Sequence, residues 1–203
     1  MSIVRSLKVI LIVSLGLLPV IGFADDNDPE QYRDMIKGDI NSDFTIVEYA
    51  SFTCPHCATF HKEFFPYLEE KYINTGKAKF VYREVYFDAP GLWAGLLARC
   101  GSKEKYFGIV DLLYKKQHRW ATGKSEKDIL NELFAIGRQV GMKEGDINSC
   151  LQNKTKSLNL IDAYLTNSKE DKISSTPSLV VNGKLITYTG FDDLKIQLEE
   201  ILN

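Results

Sequence analysis

Several large classes of protein are excluded by what this chain lacks. Its 203 residues carry 25 basic and 27 acidic side chains, so no positive excess marks it as a nucleic-acid binder. Histidine is scarce at three residues and cysteine at four. Only His61 lies near the cysteines at 54 and 57, which leaves a zinc site there without a second close pair of ligands. No internal repeat is visible. Past residue 24 no apolar run is long enough to cross a bilayer. The one long run, Val9 to Val20, is too short for a confident span, and no cysteine follows it to carry a lipid anchor.

That run has the flanks of a secretory signal peptide. Arg5 and Lys8 precede it, and Gly22-Phe23-Ala24 places small residues at the −3 and −1 positions of a cleavage site. An uncleaved anchor is the alternative. Cleavage after residue 24 leaves 179 residues, with 23 basic against 27 acidic side chains, enough for one full-sized core or a core with one insertion. An exported chain meets an oxidising compartment, where four cysteines fit two pairs.

What the chain does have is Cys54-Pro55-His56-Cys57, placed between the strand-like Thr45-Ile46-Val47-Glu48-Tyr49-Ala50 and a run with helical spacing. A thiol at a helix N-terminus meets unpaired backbone N–H groups and the positive end of the helix dipole, and both favour the thiolate. Two residues of spacing let a second sulfur close a small ring. The spacing predicts Cys54 as the reacting sulfur, Cys57 as the buried resolving thiol and His56 as a stabiliser of the thiolate. A structural disulfide or half a metal site are the bland alternatives.

Pro55 suits the first turn of that helix, and Cys57, Phe60, Phe64 and Leu68 form its inner face, with Pro66 expected to kink it. Residues 79–87 read as a second strand. From Pro90 to about Asp171 the pattern is helical, including apolar stretches at 147–151 and 158–165. Strand signals return after Thr176-Pro177, with Asn182-Gly183 as a hairpin turn between 178–181 and 184–188, and a closing helix over 192–202. The expected fold class is α/β, a thioredoxin fold with a helical insertion domain. Residues 25–89 and 172–203 would form the thioredoxin-like domain and 90–171 the insertion.

The segment 48–57, read with Ser175-Thr176-Pro177-Ser178-Leu179-Val180-Val181-Asn182-Gly183-Lys184, resembles the DsbA-type thiol:disulfide oxidoreductases of the bacterial periplasm. The stretches from Tyr72 through Arg83 and Leu97-Ala98-Arg99-Cys100 look like the same family, so the resemblance covers about residues 38–203. It implies a periplasmic protein that oxidises cysteines of exported substrates and is reoxidised by a membrane quinone-linked partner. It also implies a cis bond before Pro177, beside the active disulfide, with the Thr176 backbone free to pair with substrate. No cofactor or metal is implied.

Glu48 is the odd residue in an apolar strand. It could take the proton of Cys57, or it could escape to solvent or pair with a cation such as Arg83. Cys100 and Cys150 fall on separate helical stretches and are expected to form a structural disulfide, with two inert buried thiols as the alternative. His61 and His118 carry no clear signal.

The leading functional expectation is a monomeric dithiol oxidase. Thr176 departs from the valine of the best-known oxidases and keeps an isomerase or reductase in play. A peptide-binding chaperone with purely structural cysteines is the reading from another class.

Overall fold

The structure, a computed structural model, describes residues 34–202. The expected signal peptide lies outside the described residues. A sheet with the order β1-β3-β2-β4-β5 organises the fold. Its centre is β2 (Phe44–Ala50), apolar on both faces: Ile46 and Ala50 point into the large core, Val47 and Tyr49 into a smaller one on the other side. β3 (Ala78–Glu84) runs parallel to β2 with Glu48 beside Tyr82. β1 (Met35–Lys37) adds antiparallel to β3, so the polar lead-in does fold onto the sheet.

On the other side of β2 lies β4 (Ser178–Val181), antiparallel, with Tyr49 opposite Ser178. β5 (Lys184–Ile186) closes the hairpin across Asn182-Gly183, both with positive φ (49° and 78°), the conformation that Asn-Gly turns accommodate. Strands β3 and β5 are both shorter than the sequence pattern predicts. β3 stops at Glu84 rather than 87 because β2 ends opposite it at Ala50, and only the Val85 N–H still reaches the Ala50 carbonyl. β5 stops at Ile186 rather than 188 because Ile186 pairs with Leu179, at the start of β4.

Pro66 does not kink a continuous helix. α1 (Pro55–Glu63) ends before Phe64, and Pro66 sits in the first turn of a separate short helix, α2 (Phe65–Leu68), where its missing N–H is harmless. A π-helical turn over Glu69–Ile73 follows.

Between β3 and β4 the described chain is helical: α3 (Ala89–Ala98), α4 (Lys103–Lys115), α5 (Gln117–Trp120), α6 (Glu126–Gln139), α7 (Glu144–Leu151) and α8 (Lys154–Glu170). Asp88, Ser125 and Asn153 cap α3, α6 and α8 through side-chain oxygens. α9 (Phe191–Leu202) completes the chain. One contiguous core joins Phe60, Phe64 and Phe80 near the sheet to Leu97, Leu113, Trp120 and Leu133 in the inserted helices. The expected apolar faces of α8 and α9 are only partly used. Leu158, Leu165 and Ile196 are exposed, while Lys156 of α8 is buried with its ammonium on the Arg99 carbonyl, 2.7 Å away. Among the described residues no helix is long and apolar enough to cross a membrane.

Candidate active site

The carboxyl end of β2 delivers the chain into the turn 51–54, closed by the Cys54 N–H on the Ser51 carbonyl at 3.1 Å. Cys54 is the N-cap of α1, extended at φ −77° and ψ 120°, with Pro55 in the first turn. Helix geometry then carries Cys57 inward, where it is fully buried, while Cys54 stays half-exposed. Both are free thiols. His56 is exposed.

The two thiols differ sharply in acidity. Cys54 is lowered from an ordinary 9.0 to about 5, chiefly by the hydrogen bond from the Cys57 thiol. Burial opposes this as the second-largest effect, and the Thr176 side chain and the backbone N–H groups of Cys57 and His56 lower the value further. Cys57 is pushed far above its ordinary value, first by burial, then by its bond to Cys54 and by the charge of Glu48. His56 therefore acts on Cys54 through its main chain.

Antiparallel pairing of β4 with β2 brings Thr176-Pro177 to the same end of the sheet as Cys54. The Thr176–Pro177 bond is cis, and the Thr176 carbonyl lies 3.5 Å from Cys54 Sγ. Ser178 donates to the Ser175 carbonyl (2.8 Å), fixing this loop from its other side.

Two residues at the site were not singled out by sequence. Gln117 of α5 donates from one amide nitrogen to the carbonyls of both Phe52 (2.8 Å) and Cys54 (2.9 Å). Nothing in the sequence marks it, because the contact spans more than sixty residues. His61 of α1 places Nε2 2.9 Å from Oε2 of the fully buried Glu48. A signal existed here, since His61 lies four residues after Cys57 and so on the same helix face. The alternative partner for Glu48, Arg83, lies on the opposite face of the sheet. It binds Asp34, Asp171 and the Tyr49 hydroxyl, because its register partner is Tyr49 rather than Glu48. His118 is exposed and far from this pair in role, lining a cleft described below.

Thr53 ties the active turn to the start of α3, donating to Asp88 (2.9 Å), whose other oxygen caps Gly91. Away from the site, Cys100 and Cys150 are joined by a disulfide that links the end of α3 to α7. Among the described residues no cluster of three or more His, Cys, Asp or Glu side chains could hold a metal.

The chain is similar to known proteins in sequence and in fold. A family model described as thioredoxin matches residues 30–200. A Rickettsia prowazekii protein named as a protein-disulfide oxidoreductase is 31% identical over 180 residues, covering 88% of this chain and 63% of that protein. The chain spans about three fifths of the length of the curated rickettsial relatives it matches. The crystal structure of alpha-DsbA1 from Wolbachia pipientis superposes with a TM-score of 0.73 at 27% identity, covering 83% of this chain and 89% of that one. Disulfide bond formation protein D of Bacillus subtilis is 24% identical, over 82% of this chain and 76% of its own.

Proposed function

The chain belongs to the thioredoxin-like family in its DsbA-type form, and we propose that it donates a Cys54–Cys57 disulfide to reduced cysteines of exported proteins. The observation that carries this reading is the opposite displacement of the two thiols, Cys54 down to about 5 and Cys57 upward. A sulfur that is stable as a thiolate leaves a mixed disulfide readily, and a disulfide whose reduced form is stabilised is a strong oxidant.

In the proposed reaction a substrate thiolate attacks Cys54 Sγ of the oxidised protein. The Cys54–Cys57 bond breaks, and Cys57 leaves with the electron pair and takes up a proton. A second substrate thiolate then attacks the substrate sulfur of the mixed disulfide and expels Cys54 as thiolate. The substrate is oxidised by two electrons and the protein reduced by two. The Thr176 backbone beside Cys54 offers an extended edge on which a substrate strand aligns. Export to the periplasm, reoxidation by a membrane quinone-linked protein and a monomeric state belong to the same proposal. So does the division into a thioredoxin-like part (25–89, 172–203) and an insertion (90–171).

A redox titration against glutathione, paired with oxidation of a dithiol peptide, tests the reading. The expected potential lies well above the value of about −270 mV for thioredoxin. A value at or below it overturns oxidase action. The second reading, an isomerase or reductase, is favoured by Thr176, whose side chain acts on Cys54. A dimer by light scattering that reshuffles scrambled substrate faster than it oxidises reduced substrate would establish it.

A further inference from the structure

Cys57 presents a transport problem. Its sulfur gains or loses a proton at each exchange, yet the residue is fully buried. The charge of Glu48 acts on Cys57, and Glu48 is itself without exposure, so a proton received by Glu48 has no direct route to water. The side chain beyond it, His61, lies between Glu48 and a cleft. Glu48 Oε2 is held by His61 Nε2, while Glu48 Oε1 and His61 Nδ1 are both buried and without a hydrogen-bond partner. His61 also lines a cleft of about 710 Å³ that runs between α1 and the helices α4 and α5.

We propose that His61 is the proton relay of this site, passing protons between the Glu48 carboxylate and the cleft beside α1. The proposal rests on the exchange reading above. When Cys57 leaves the disulfide, Glu48 gives it a proton from Oε1. His61 replaces that proton through Nε2–H and takes another at the buried, unpartnered Nδ1 from a water molecule admitted from the cleft, so no charge stays behind. In the resolving direction every transfer reverses. An imidazole suits this because one nitrogen can accept while the other releases.

The ring is fixed in the plane this requires. It stacks on Tyr114 of α4 at 4.2 Å and on Phe65 of α2 at 5.0 Å between centroids, and meets Tyr82 of β3 edge-on at 5.8 Å. The titratable groups around it are Glu48 from β2, the hydroxyls of Tyr82 and Tyr114, and Cys57 on its own helix. Across the cleft stand Asp111, Lys115 and His118, with Lys62, Glu63 and Glu69 at its near wall. The charge of Asp111 interacts with that of His61, and Lys37 of β1 acts on Asp111 in turn.

The test is a single-turnover measurement of glutathione release from the Cys54 mixed disulfide as a function of pH. His61→Phe preserves ring packing and His61→Gln preserves a donor to Glu48. Each is expected to slow release by about tenfold or more and to lose an inflection of the wild-type pH profile. Alkylation of Cys54 is expected to keep its wild-type pH dependence in both. His61→Ala is expected to recover on adding imidazole through the cleft, but not on adding pyrazole, which has the shape without titrating in this range. Wild-type rates and profiles in the Phe and Gln variants overturn the relay alone, as does equal rescue by pyrazole. A wild type that never forms or resolves the mixed disulfide overturns the exchange reading, and the relay with it.

Discussion

The two cysteine pairs are made of the same atoms and occupy opposite chemical worlds. Cys54 and Cys57 sit at a helix start, three positions apart, as free thiols that helix N–H groups, Thr176 and Glu48 drive to different acidities. Cys100 and Cys150 are separated by 50 positions, are joined as a disulfide, and close a loop that ties α3 to α7. Placement decides which sulfur reacts. A pair at a helix N-terminus stabilises the reduced form through the thiolate, whereas a pair closing a long loop stabilises the folded chain through the entropy of the unfolded one.

The contrast breaks most visibly on serine replacement. Cys54→Ser is expected to abolish oxidation of a dithiol peptide, while Cys57→Ser traps a mixed disulfide at Cys54, detectable as a covalent adduct by mass. Labelling of Cys57 ahead of Cys54 by an alkylating agent at mildly acidic pH would reverse these roles. The second pair is expected to answer only in stability. Removing it with Cys100→Ala and Cys150→Ala together should cost about 4 kcal/mol by loop-closure entropy, read from denaturant midpoints, with peptide oxidation retained.

A pH series sharpens the comparison further. The Cys54 thiol titrates near 5 when folded and near 9.0 when ordinary, so the unfolded chain binds more protons between those values. Stability of the reduced protein relative to the oxidised one is therefore expected to rise from about pH 5 to about pH 9 and to be lost as pH falls through 5. Above pH 9 it declines, because unfolded Cys57 ionises where folded Cys57 does not. Thermal midpoints of the two forms across that range check it, and a flat difference would contradict a strongly acidic Cys54. Reduction of the first pair at neutral pH should accordingly raise the midpoint. The smallest effect is expected from Thr176→Val, which removes one of several groups lowering Cys54. A few-fold change in release rate and a modest shift in potential should follow, with oxidation intact.

How much of this was legible in the sequence depended on distance along the chain. The strand, turn and helix around Cys54 are local, and their residue types state the geometry outright. The Asn182-Gly183 turn is equally local. Strand ends were not, because β3 and β5 stop where their partners stop, and a partner's end is not written in the strand itself. Glu48 stood out as a carboxylate among apolar neighbours, but the choice between Arg83 and His61 depended on which face of the sheet each occupies. The exposed Leu158, Leu165 and Ile196 show the same limit, since an apolar residue is buried only if another element arrives to cover it.

Gln117 narrows what the inserted helices can become. Its amide nitrogen has two hydrogens, and the carbonyls of Phe52 and Cys54 take both. A carboxylate of the same length would face two oxygens with a third, and a leucine would leave two carbonyls bare. An asparagine stops one carbon short. Position 117 is therefore governed by the loop it reaches rather than by the helix it belongs to, and substitutions in α5 are filtered by chemistry taking place on another part of the chain.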